Sequence, residues 1–241
     1  MPRLASFQMG DEVRITPTSG PGARNSGATT AQDGFEQTFD TVGDLVALRL
    51  ELVPRRGISA RRERGLFTRL MEGGNATRLT FNDPDLMSPQ EAGIDVPAHD
   101  WERMPSPTWS NGQPWSNGLG WGVTPPTVPV AAVAAVNTDT VTLADEAWGH
   151  RLGEGDYLGF FPFSFGLYMV TEVIDPGQYR VWPRLRTALT TEHFATLLPT
   201  IVMRPRGRDA VSMSRGTWMT DGSSIELVEV IDPYVRRFFS E

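Results

Sequence analysis

The sequence predicts a mainly β fold with one α-helix. Three observations carry that expectation: many short apolar runs rich in aromatic and β-branched residues, turn chemistry between them, and a single stretch of helical periodicity. Residues 158–161, 167–174 and 179–182 show the β pattern best, because such side chains fit a pleated, half-buried surface. Gly155-Asp156, Pro162 with Gly166, and Asp175-Pro176-Gly177 punctuate these runs as turns. The result is a compact antiparallel module with no groups placed for chemistry.

From the N-terminus, residues 12–16 (EVRIT) alternate like a short strand, and residues 17–34 read as a Gly/Ser/Thr/Pro-rich loop. Residues 45–53 form a stronger strand, with Val46, Leu48, Leu50 and Leu52 on one face and Ala47, Arg49 and Glu51 on the other. Pro54 ends it. Ser59 is placed to cap a helix over about 59–72, in which Leu66, Phe67, Leu70 and Met71 make one apolar stripe. Gly73-Gly74 closes it, residues 77–81 restart a strand, and Asn82-Asp83-Pro84-Asp85 turns that strand out. Further on, residues 138–143 and 197–204 read as strands. Residues 210–219 and 225–231 form a hairpin about Asp221-Gly222, with Ile225, Leu227 and Glu229 on one side.

Residues 87–129 have a different character, since eight prolines break regular structure there. A small repeat lies within: Trp109-Ser-Asn-Gly, Trp115-Ser-Asn-Gly, then Trp121-Gly. Each Asn-Gly supplies a turn. Tryptophans so placed either pin an irregular segment against a neighbouring domain or subunit, or stack on sugar rings; the first use is the commoner.

Composition narrows the function classes. A net charge of −7 argues against a general nucleic-acid coat. All 22 basic residues are arginine, as a GC-rich coding sequence would give. The cluster Arg55, Arg56, Arg61, Arg62, Arg64, Arg69 is expected to decorate the solvent side of the helix, as a solvated face or a protein–protein contact. No aromatic residues are interleaved with it for base stacking. Without cysteine there is no disulfide framework or thiolate metal site, and three histidines make a His-rich metal cluster unexpected. No apolar run approaches the roughly 20 residues that span a bilayer, and the N-terminus lacks the apolar core of a secretion signal. An intracellular product is expected.

The search for catalytic groups nominates none. Nucleophile-elbow, P-loop and zinc-protease motifs are absent. Glu192 and His193 are adjacent, so in an extended chain they face opposite ways. Asp83 and Asp85 read as turn formers, and Asp145, Glu146 and Glu154 as scattered acids in turns. A glycosidase needs two carboxylates roughly 5–10 Å apart, and nothing here marks such a pair. The expectation is a non-enzyme without cofactor or metal.

The wording of residues 152–186 carries a resemblance. A Gly-Asp-aromatic step, a strand containing Leu-Tyr-x-Val, a Gly turn and a closing Pro-Arg-Leu-Arg resemble the β-barrel module of tailed-bacteriophage distal tail proteins. Residues 39–53, the helix, Gly73-Gly74 and the RLTFNDP of 78–84 are similar to the opening half of the same family. Gly112-Gln113-Pro114-Trp115 resembles the linker before its barrel. The similar stretches cover about two-thirds of the chain; the loop at 17–34 and the doubled WSNG depart from the family pattern.

The resemblance implies a belt-type β-sandwich domain, residues 1–104 with 205–241. It is interrupted by a Pro/Trp-rich linker and an inserted OB-like or galectin-like β-barrel, residues 105–204. It implies a virion structural protein, assembled in the host cytoplasm into a homo-hexameric ring that joins tail tube to tail tip or hub. Its barrel would carry tail fibres or touch host glycan, with no nucleic-acid partner and no membrane insertion. The six arginines are then candidate subunit contacts, and Trp109, Trp115 and Trp121 candidate interface or glycan-stacking residues. A carbohydrate-binding module acting through those tryptophans is the alternative, and a cell-wall hydrolase ranks third.

Overall fold

The computed structural model describes residues 5–8, 12–19, 23–25, 38–40, 45–72, 75–81, 87, 91–93, 127–162, 164–207, 210–215 and 220–236. The described residues are mainly β, built on antiparallel sheets, with one helix among them longer than a single turn. It divides into two compact units: unit 1 is Met1–Leu79 with Val202–Phe238, and unit 2 is Thr80–Ile201 with Phe239–Glu241. The border expected at 104/105 lies outside the described residues.

Unit 1 holds nearly all of a seven-stranded sheet. In chain order its strands are β1 (Ala5–Gln8), β2 (Glu12–Pro17), β5 (Ala47–Leu52), β6 (Thr77–Thr80), β13 (Thr200–Pro205), β14 (Val211–Arg215) and β15 (Thr220–Glu229). The spatial order is β1-β6-β13-β15-β5-β2, with β14 also paired to β15. Strands from before and after unit 2 therefore meet in one sheet, where β15 lies antiparallel to β5 from Ser223↔Leu52 to Val228↔Ala47. The alternation read in residues 45–53 holds from Leu48 to Leu52, and Ala47 is buried as well.

Three local expectations change. The stretch read as loop contains β3 (Ala23–Asn25), which pairs with β4 (Thr38–Asp40) beyond it, a three-residue ladder too short to leave a periodic signal. The C-terminal hairpin does not turn at Asp221-Gly222. Arg215 pairs with Thr220, so both residues lie inside β15, where Gly222 has φ +109°. The helix α1 (Gly57–Met71) starts before Ser59: Arg56 is its extended N-cap and makes no side-chain capping bond. Gly57 itself has φ +62°, a conformation glycine adopts without steric cost. The closing Gly73-Gly74 and the turn at 82–85 lie outside the described residues. After β15, α2 (Pro233–Arg236) adds a single turn.

Unit 2 holds a six-stranded sheet, all antiparallel: β7 (Thr127–Pro129), β8 (Thr140–Thr142), β9 (Tyr157–Phe161), β10 (Tyr168–Asp175), β11 (Gln178–Trp182) and β12 (Phe194–Thr196). Its order is β7-β12-β9-β10-β11-β8. The two ends of this path are themselves joined by an antiparallel bridge between Val130 and Leu143. Ala131 N donates to Thr142 O at 2.8 Å and Ala144 N to Pro129 O at 2.9 Å, so the edge strands satisfy each other. β7 falls in the segment read as irregular; proline ends strands readily because it lacks only the N–H. The core of unit 2 includes the fully buried Trp148, Leu158, Tyr168, Tyr179, Leu185 and Leu189.

Candidate functional site

The arginine cluster is not one surface. Phe67 and Leu70 face the interior of unit 1 as expected, but Leu66 and Met71 are only half-buried, and Glu63 completes the buried face one turn earlier. The spacing 63, 67, 70 is a regular helical stripe with a carboxylate in it. That carboxylate draws Arg55 in. Arg55 Nε lies 3.1 Å from Glu63 Oε2, and Ser223 of β15 donates its hydroxyl to Glu63 Oε1. Arg69 is half-buried, and its carbonyl accepts from Asn75 Nδ2 and from Glu72 N.

Arg56, Arg61, Arg62 and Arg64 remain exposed, and none pairs with a carboxylate among the described residues. Of the six arginines expected on the solvent side of the helix, four are exposed, while Arg55 reaches Glu63 and Arg69 is half-buried. Beside it runs an open groove of about 580 Å³, lined by Arg64, Phe67, Thr68, Met71 and Glu72 from α1 and its end, and by Val211 and Met213 of β14. Trp109, Trp115 and Trp121 lie outside the described residues.

Unit 2 contains a buried polar cluster that sequence reading left as a scattered turn acid. Asp145 is fully buried at the start of a short 3₁₀ turn, Glu146–Trp148. Tyr179 Oη donates to its Oδ2 at 2.5 Å, and His150 Nδ1 lies 2.6 Å from its Oδ1. Gly149 and His150 both take positive φ, which bends the chain back so that the imidazole reaches the carboxylate. Burial, then the hydrogen bond and charge of Asp145, push the Tyr179 phenol well above its ordinary value. The signal that could have found this cluster is an Asp five residues before a His across a Trp-Gly turn. Nothing local in the sequence points to Tyr179.

His193 serves its own turn: its Nδ1 accepts from Thr190 N at 3.1 Å and lies 3.0 Å from Thr190 Oγ1, while Glu192 is exposed. Among the described residues, no group of three or more His, Cys, Asp or Glu is gathered to hold a metal ion. No described helix is long and apolar enough to cross a membrane.

Charge divides sharply between the units. Unit 1 carries 17 arginines against 14 carboxylates, a net +3; unit 2 carries 5 against 15, a net −10. No protein-family model matches the chain, and no curated protein matches its sequence.

Proposed function

We propose that the chain is a structural protein of a bacteriophage tail. It would form a ring that joins the tail tube to the tail tip or hub and can carry fibres. In this reading unit 1 is the belt-type β-sandwich and unit 2 the inserted β-barrel, OB-like or galectin-like. The observation that carries the reading is the order in which the chain builds its sheets. Segments before and after unit 2 share one sheet, while the segment between them makes a strand path whose ends meet at Val130 and Leu143. The Gly-Asp-aromatic wording at 155–157 opens β9 of that path. The exposed arginines of α1 support a protein contact, since arginine is enriched at such surfaces.

The test is the mass of the purified chain by light scattering over a range of concentrations, with electron microscopy of any assembly. A hexamer of 26.6 kDa subunits, or a smaller ring that closes to one on concentration, is the expected result. A monomer at every concentration overturns the ring. A monomer that binds glycan, and loses binding when Trp109, Trp115 and Trp121 are replaced, would put the carbohydrate-binding reading in its place.

A further inference from the structure

We propose that the groove between α1 and β14 takes an extended segment of a partner protein, which adds a strand to the β14 edge and lays alternate apolar side chains against α1. The contact lies within unit 1 and does not depend on the ring.

The edge is open. β15 has β5 on one side and β13 and β14 on the other, and β13 pairs onward with β6, whereas β14 pairs with β15 alone among the described residues. Val211 lies opposite Ile225, and Glu226 N donates to Ala210 O at 2.8 Å. Main-chain groups of successive residues in an antiparallel ladder point to alternate sides. Ala210 and Ser212 therefore turn theirs toward β15, and Val211 and Met213 turn theirs to the free edge. Proteins commonly blunt such an edge with proline, lysine or an inward charge. The sequence VSMS at 211–214 carries none of these.

The same two residues line the groove. Strand alternation puts the Val211 and Met213 side chains on one face, where both are half-buried, while Ser212 is exposed on the other. The facing wall is a stripe of α1 at helical spacing, Arg64, Phe67, Thr68 and Met71, so the groove of about 580 Å³ runs along the helix. A strand paired with β14 would direct every second side chain into this apolar channel. That selects an extended segment over a helix, whose main-chain groups bond to one another and leave none for the edge.

Charge adds one feature. Arg64 lines one end of the groove and the exposed Arg61 precedes it by one turn, with no carboxylate partner for either among the described residues. Glu72 lines the other end at i+8, about 12 Å along the axis, beyond the screening length of about 8 Å at physiological salt. The segment should therefore carry an acid at the Arg64 end, on the same face as its apolar side chains.

Two fluorescein-labelled peptides, TETVTVT and TVTVTET, present this pattern in the two strand directions. Each is titrated into the full-length chain by fluorescence anisotropy. One is expected to bind saturably, and its form with serine for both valines about tenfold more weakly. The R64E variant, checked by circular dichroism, should bind that peptide about tenfold more weakly and prefer its form with arginine for glutamate. Methylating the main-chain nitrogens of alternate residues blocks one edge of the peptide. One alternate set should abolish binding and the other should leave it intact. Binding that survives both methylated sets overturns the strand pairing and the proposal with it. Binding indifferent to R64E and to the serine form overturns the groove as the site. No binding by either peptide overturns the proposal, and an assembled wild type that R64E then disperses would give the edge to a second copy.

Discussion

Arg55, on the approach to α1, holds the carboxylate of Glu63 with its Nε 3.1 Å from Oε2, while Ser223 donates to the other oxygen. The pair ties the helix to β15 through a charge that is almost wholly buried. Glu63→Ala removes the carboxylate beside Arg55 and leaves the buried Ser223 hydroxyl without this acceptor. Removing one partner of a buried pair costs about 3–5 kcal/mol, and the residual exposure of Arg55 lowers that to roughly 2–3 kcal/mol. Glu63→Gln keeps an acceptor for Ser223 and loses only the charge, so its cost should be smaller. Urea unfolding checks both: the midpoints should fall in that order with unchanged slope. Equal losses would mean that packing, not charge, holds the contact.

The Tyr179 phenol is held above its ordinary 10.0 by burial first and by Asp145 second. A group whose pKa is higher folded than unfolded contributes its full stability below the unfolded value and loses it as pH rises past that value. The melting temperature of the wild type should therefore begin an added decline above about pH 10. Tyr179→Phe removes the donor to a buried carboxylate and should cost about 1–3 kcal/mol at pH 8. Its alkaline decline should be shallower than that of the wild type. Parallel curves above pH 10 would mean that Tyr179 is not the group responsible.

Leu70 is fully buried on α1 and Leu66 is only half-buried, although the sequence places both in one stripe. Leu70→Ala should cost about 2–4 kcal/mol, since it removes packed methyl groups and leaves a cavity. Leu66→Ala should cost less than half as much. Equal losses in thermal melts would restore the stripe read from the sequence.

What the sequence made legible follows from how local each cause is. β5 could be read because burial of one sheet face writes a period of two into residues 48–52. The β10–β11 hairpin was legible because Pro176-Gly177 can do little else. Glu63 was not, because helical periodicity identifies a buried position only when the side chain there is apolar. Its partners, Arg55 and Ser223, are fixed by tertiary structure. Tyr179 and Asp145 are 34 residues apart, and only the strand order β10-β11-β8 brings them together. The turn at Asp221-Gly222 failed because Asp-Gly also suits a strand that must adopt a positive φ. Of the candidate contacts, Arg61 and Arg62 could be read as exposed, but the division of charge between units appears only once the units are known.

Gly155 and Gly177 separate two reasons for glycine in unit 2. Both take positive φ, +98° and +85°. A Cβ on Gly155 would meet nothing within 4 Å, whereas one on Gly177 would lie 2.9 Å from Leu143 O. Gly155→Ala should cost only the left-handed strain, about 1–2 kcal/mol. Gly177→Ala carries that strain and also pushes away Leu143, whose N donates to Gly177 O and which forms the closing bridge with Val130. Loss of that bond adds roughly another 1–2 kcal/mol. Amide hydrogen exchange distinguishes the cases beyond total stability. Gly177→Ala should speed exchange at Leu143 and Ala131, where the strand path closes, under conditions in which Gly155→Ala leaves both unchanged. If both variants exchange alike at Leu143, the close approach of the hairpin tip does not hold that end of the sheet together.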